Sequence, residues 1–86
     1  MHWPQEELTV ARRILGSAAT LREAAEELRA RYAPMRTTVL DAADLRDELP
    51  ALRAGGRALF FASSDGYCWT LTQKVEAAQL LILTED

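Results

Sequence analysis

Cys68 carries the most reactive group in this sequence, and it lies between Tyr67 and Trp69. A thiol in that position could serve as a nucleophile, a redox sensor or a thiol carrier, provided a nearby cation, a helix N-terminus or a CxxC partner favours the thiolate. The sequence offers none of these. Cys68 is the single cysteine and His2 the single histidine, so a Cys/His dyad would have to join distant segments. The plainer reading of Cys68 is a small residue packed in a strand. Ser63, Ser64 and Asp65 have the residue types of a hydrolase fragment, but acyl transfer needs a base within hydrogen-bond reach of the hydroxyl. Turn chemistry accounts for all three. Asp41, Asp44, Asp47 and Glu48 lack the spaced ligands and central glycine of a calcium loop, and they read as a helix cap and a solvated face. Gly55-Gly56-Arg57 is too short for a phosphate loop and lacks its Gly-Lys-Ser/Thr ending, which leaves a loop between a helix and a strand. A structural zinc site takes about four Cys/His ligands. The sequence therefore predicts no enzyme, no metal and no cofactor.

The elements that would carry these residues follow from periodicity and capping. Pro4 followed by Glu6 and Glu7 marks a helix start, where proline is tolerated and acids face the positive end of the macrodipole. That helix runs to about Leu15 on an apolar stripe of Leu8, Ala11, Ile14 and Leu15, with Gly16 expected as its C-cap. Thr20-Leu21-Arg22-Glu23 matches a capping box. A second helix follows, with Leu21, Ala25, Leu28 and Tyr32 inward and Arg22/Glu26 and Glu27/Arg31 spaced to pair on the solvent side. Arg36–Leu40 is short and β-branched, which suggests a strand. Asp41 then opens a third helix carrying Leu45, Leu49 and Leu52, stopped or kinked near Leu49 by Pro50.

Ala58–Ala62 and Tyr67–Thr72 are β-rich runs around Asp65-Gly66, the signature of a type I′ hairpin. A two-residue loop sets 62 opposite 69, a four-residue loop sets 60 opposite 69, and both keep one parity. Phe60, Ala62, Tyr67, Trp69 and Leu71 then share the expected core face. Leu59, Phe61, Ser63, Cys68, Thr70 and Thr72 share the other, which is half apolar. Residues 74–83 suit helix or strand by composition, and Leu80-Leu81-Ile82-Leu83 favours a strand. The expected fold is α+β over residues 1–86 as one domain: an N-terminal helical hairpin packed on a small antiparallel sheet of three to four strands, in the order ααβαβββ.

The chain has 86 residues and a mass of 9.6 kDa. A chain of that size buries only about 60% of the surface it exposes when unfolded, and its 49% apolar content is mostly 15 alanines and 13 leucines. The net charge of −3 gives no field to collect nucleic acid or an anionic membrane. All of it arises after residue 57, where Lys74 stands against Asp65, Glu76, Glu85 and Asp86. A helix-turn-helix reading of Ile14–Tyr32 would present Glu23, Glu26 and Glu27 to phosphate, which disfavours DNA binding. The N-terminus has neither a basic patch nor an apolar core, so no signal peptide or membrane span is expected. Nine arginines to one lysine and the absence of asparagine suggest a bacterial source.

One helical layer covers one face of a sheet. Leu59, Phe61, Cys68 and Thr70 on the other face are therefore the candidate interaction surface, unless the third helix packs there and makes the patch internal, and Leu80–Leu83, if an edge, invites strand addition. The leading expectation is a non-catalytic accessory or binding protein of the bacterial cytoplasm, acting through a protein partner or as a homodimer. A thiol-dependent role through Cys68 is the alternative, and weak nucleic-acid binding through the helical hairpin comes third.

Overall fold

A computed structural model describes residues 5–64 and 66–86. His2, Pro4 and Asp65, considered above for a dyad, a helix start and a turn, lie outside the described residues. Two helices, α1 (Gln5–Ser17) and α2 (Leu21–Arg31), form the expected hairpin. They pack on a five-stranded sheet of β1 (Arg36–Val39), β2 (Leu52–Ala54), β3 (Arg57–Ser64), β4 (Trp69–Thr72) and β5 (Leu80–Glu85). The fold is α+β and differs from the expectation in two details. Five strands form where three to four were expected, and the sheet is mixed, because β1 runs parallel to β5.

Each helix follows its local chemistry. The Thr20 side chain accepts from the Glu23 amide at 3.1 Å, so the first half of the capping box is made. Ala11 and Leu15 of α1 and Ala24, Ala25 and Leu28 of α2 are buried. Gly16 is not a C-cap: α1 continues to Ser17, and a Cβ at position 16 would stand 3.0 Å from the Ala54 Cβ. The glycine is what lets α1 lie close on β2.

The sheet order is β1-β5-β3-β2, with β4 also paired to β3. Strand β3 thus has β5 along one edge, while β2 and β4 share the other. Leu80–Leu83 is consequently interior to the sheet, which corrects the expectation of an edge. Gly55-Gly56, read as a link from helix to strand, is the two-residue loop of a β2–β3 hairpin in which Ala54 faces Arg57; Gly55 adopts a φ of 63°, open to glycine at no steric cost. In the β3–β4 hairpin Ser64 faces Trp69, two residues from the nearer expected register and of the same parity.

The face assignment is reversed. Leu59 and Phe61 align with Leu83 and Leu81 and pack under the helices, while Phe60 and Ala62 align with Ile82 and Leu80 on the opposite face. That second face is also covered. Strands β1 and β2 lie on opposite sides of β5 and β3, so residues 40–51 must cross the sheet, and Leu45 packs against the cluster of Ala58, Phe60, Ala62, Leu80 and Ile82. The expected third helix is only a 3-10 turn, Ala42–Leu45, with Asp41 accepting from the Ala43 amide at 3.0 Å. A short helix persists only when an apolar face is packed. Leu45 supplies one anchor, and Leu49 points to solvent at 78% exposure.

Candidate protein-interaction surface

The structure separates the four residues expected to share an exposed face. Leu59 and Phe61 are buried in the main core at 0% and 4% exposure, because the helical hairpin, not solvent or a partner, covers them. Cys68 and Thr70 are exposed. Cys68 lies outside β4, so it is not a packing residue of a strand. Tyr67 and Trp69, placed by sequence on the core face, are 96% and 48% exposed. The crossover does not cover this end of the β3–β4 hairpin. Leu49 lies at the other end of β4, where the Gln73 side-chain amide donates to the Leu49 carbonyl at 3.0 Å. Exposed large apolar side chains therefore stand at both ends of β4.

A second patch flanks β1 at the other side of the sheet, with Val39 and Leu40 at 44% and 39% exposure. The Leu40 amide donates to the Leu83 carbonyl at 3.0 Å. Because both backbone groups of a residue in a parallel strand point to the same side, Thr38 and Leu40 face β5 while Thr37 and Val39 point outward. The Thr37 carbonyl accepts from Arg29 Nη2 at 3.0 Å. Between α2 and this edge runs a groove of about 380 Å³, lined by Arg22, Ala25, Glu26, Arg29 and Thr37–Val39. The helix positions recur at three- and four-residue intervals and so share one face. Thr37 is 6% exposed, and its Oγ1 is a buried side-chain oxygen with no hydrogen-bond partner among the described residues.

Two polar clusters hold these elements in place. Arg57, 13% exposed at its side chain, sends Nη1 to the Leu15 and Ala18 carbonyls at 2.9 and 2.7 Å and Nε to Glu85 at 2.7 Å. It closes the C-terminal end of α1, where the last turn has no basic residue of its own. Arg31 pairs with Glu7 of α1 at 3.0 Å, not with Glu27 as the helical spacing suggested, and Tyr32 Oη donates to the same carboxylate at 2.8 Å. The Arg31 and Tyr32 donors hold the Glu7 carboxyl below its ordinary range. Burial, then the hydrogen bond to Glu7, pushes the Tyr32 phenol up. Neither Arg22/Glu26 nor Glu27/Arg31 forms an ion pair.

Among the described residues no group of three or more His, Cys, Asp or Glu side chains could hold a metal ion, and no helix is long and apolar enough to cross a membrane. Comparisons with protein-family models, curated proteins and solved structures found no match to this chain. The sequence reading missed Arg29, Thr37 and Val39. A β-branched run marks β1 as a strand, but its place at the border of the sheet depends on β5, which lies about forty residues further on.

Proposed function

We propose that this chain is a non-catalytic binding protein of the bacterial cytoplasm that acts through contact with another protein or with its own copies. The observation that carries this reading is where the exposed large apolar side chains fall. Val39 and Leu40 flank one border of the sheet, and Leu49, Tyr67 and Trp69 flank the other. Unpaired sheet borders carry backbone donors and acceptors that another chain can use, and exposed aromatics beside them supply contact area.

Sedimentation velocity across micromolar concentrations, with and without host extract, tests it. The expected result is mass that rises with concentration or a co-migrating partner, reduced in a Leu49→Ser/Trp69→Ser variant or in a Val39→Ser/Leu40→Ser variant. A chain that stays monomeric at every concentration, and whose extract profile neither variant alters, overturns the reading.

The exposure of Cys68 favours one other reading, a thiol-dependent role. Its test is native alkylation, with rapid labelling expected and labelling only after denaturation excluding it. Cys68→Ala also distinguishes the two proposals, since it abolishes a thiol role and leaves protein contact intact.

A further inference from the structure

We propose that the groove between α2 and β1 binds an extended acidic segment of a protein partner, which adds to the sheet as a further strand beside β1. The inference rests on the reading of this chain as a protein-binding module and names the partner's chemistry. Strand addition needs a border with no strand partner, and here the outward backbone groups of Thr37 and Val39 provide one, the Thr37 carbonyl being held only by the Arg29 side chain. It also needs room on the side where the new strand's side chains fall. The groove of about 380 Å³ gives that room.

Charge decides the occupant. Arg22 and Arg29 project from the groove wall against a single carboxylate, Glu26. Arg36 lies at the start of the border strand. Neither Arg22 nor Arg36 forms an ion pair among the described residues, and the three salt bridges that do form lie elsewhere. Arginines at a rim select and steer acidic partners. Arg29 now donates to the Thr37 carbonyl, the group an incoming strand's amide would take. On binding, that carbonyl passes to the partner backbone, and the guanidinium turns to a partner carboxylate, where a charge-assisted hydrogen bond is stronger. The unpartnered Thr37 Oγ1 lies in the same wall and marks it as incompletely satisfied in the lone chain.

The experiment is titration of the isotope-labelled full chain with a short alternating Glu-Val peptide, followed by amide shifts and by anisotropy of a labelled copy. Binding is expected to shift Thr37 and Val39 above all other strand residues and to weaken as salt rises. Arg22→Glu and Val39→Pro should each lower affinity about tenfold or more. Val39→Pro removes an outward amide and no bond to β5, and proline is accepted at such positions. Arg22→Glu changes an exposed side chain and keeps the fold intact if the proline variant does not. No binding, equal binding of a Lys-Val peptide, or unchanged affinity in Arg22→Glu overturns the proposal. Shifts at Thr37 and Val39 that grow with protein concentration alone, without peptide, assign the border to a second copy and also overturn it. If sedimentation still shows partner capture or self-association in Val39→Pro, the groove is excluded while the broader binding reading stands.

Discussion

The guanidinium of Arg57 meets carbonyls of Leu15 and Ala18 while its Nε holds Glu85, so one side chain ties the end of α1 to the last strand. Most of it is shielded from water, and its removal strips charged donors from helix-end carbonyls. Arg57→Met should cost about 2–4 kcal/mol in urea unfolding. Glu85→Gln, at a carboxylate that is nearly half exposed, should cost less than about 1 kcal/mol. Equal costs would mean that the ion pair, not the helix-end contacts, is the working part. The Glu7, Arg31 and Tyr32 cluster makes a prediction in pH. A carboxyl whose pKa is lowered on folding stabilises the fold above the ordinary carboxylate range, about pH 4, and loses that contribution as pH falls through the lowered value. The Tyr32 phenol is raised, so its contribution is intact below about pH 10 and is lost as pH rises through the raised value. Melting curves of Glu7→Gln and the parent chain should therefore differ at pH 7 and converge in acid. A gap that persists at low pH would show that the carboxylate's charge is not what matters.

At the scale of elements, the two helices were legible because their apolar residues recur with helical spacing and Thr20 sits where a cap belongs. The strands β3 and β5 were legible as strands, but the side of β3 that meets the helices was not. Ala58–Ala62 is apolar at every position, and such a run is what burial on both faces produces. Its parity therefore could not choose between Phe60 and Phe61, and the choice followed the aromatics of the hairpin to the wrong side. The third helix failed for a related reason. Three leucines at helical spacing look like a packed face, whereas only Leu45 and Leu52 find cover and Leu49 does not. Of the candidate surface, Cys68 and Thr70 emerged exposed while Leu59 and Phe61 became core. Phe61→Ala should cost about 3–5 kcal/mol, and Leu49→Ser should stay within about 0.5 kcal/mol of the parent. Chemical denaturation of both variants decides between core and surface at each position. Thr20→Ala should cost about 1 kcal/mol through the lost cap.

For the whole molecule, apolar cover lies on both faces of one sheet, with helices on one side and a crossing loop on the other, leaving the borders as the surfaces open to pairing. The two borders differ in character. Arginines attend β1, while Asp47 and Glu48 accompany Leu49 beside β4. Raising the salt should therefore weaken contacts made at β1 and leave apolar contacts at Tyr67 and Trp69 largely unchanged, which titrations at two ionic strengths would separate. The central place of β5 also sets the order in which the chain can fold. Hairpins β2–β3 and β3–β4 can close locally, but β1 has no strand to join until residues 80–85 arrive between it and β3. Closing so long a loop is slow and comes late. During synthesis the helical hairpin therefore waits, with Leu59 and Phe61 only half surrounded, and a ribosome-held chain should remain sensitive to protease until this last strand has emerged.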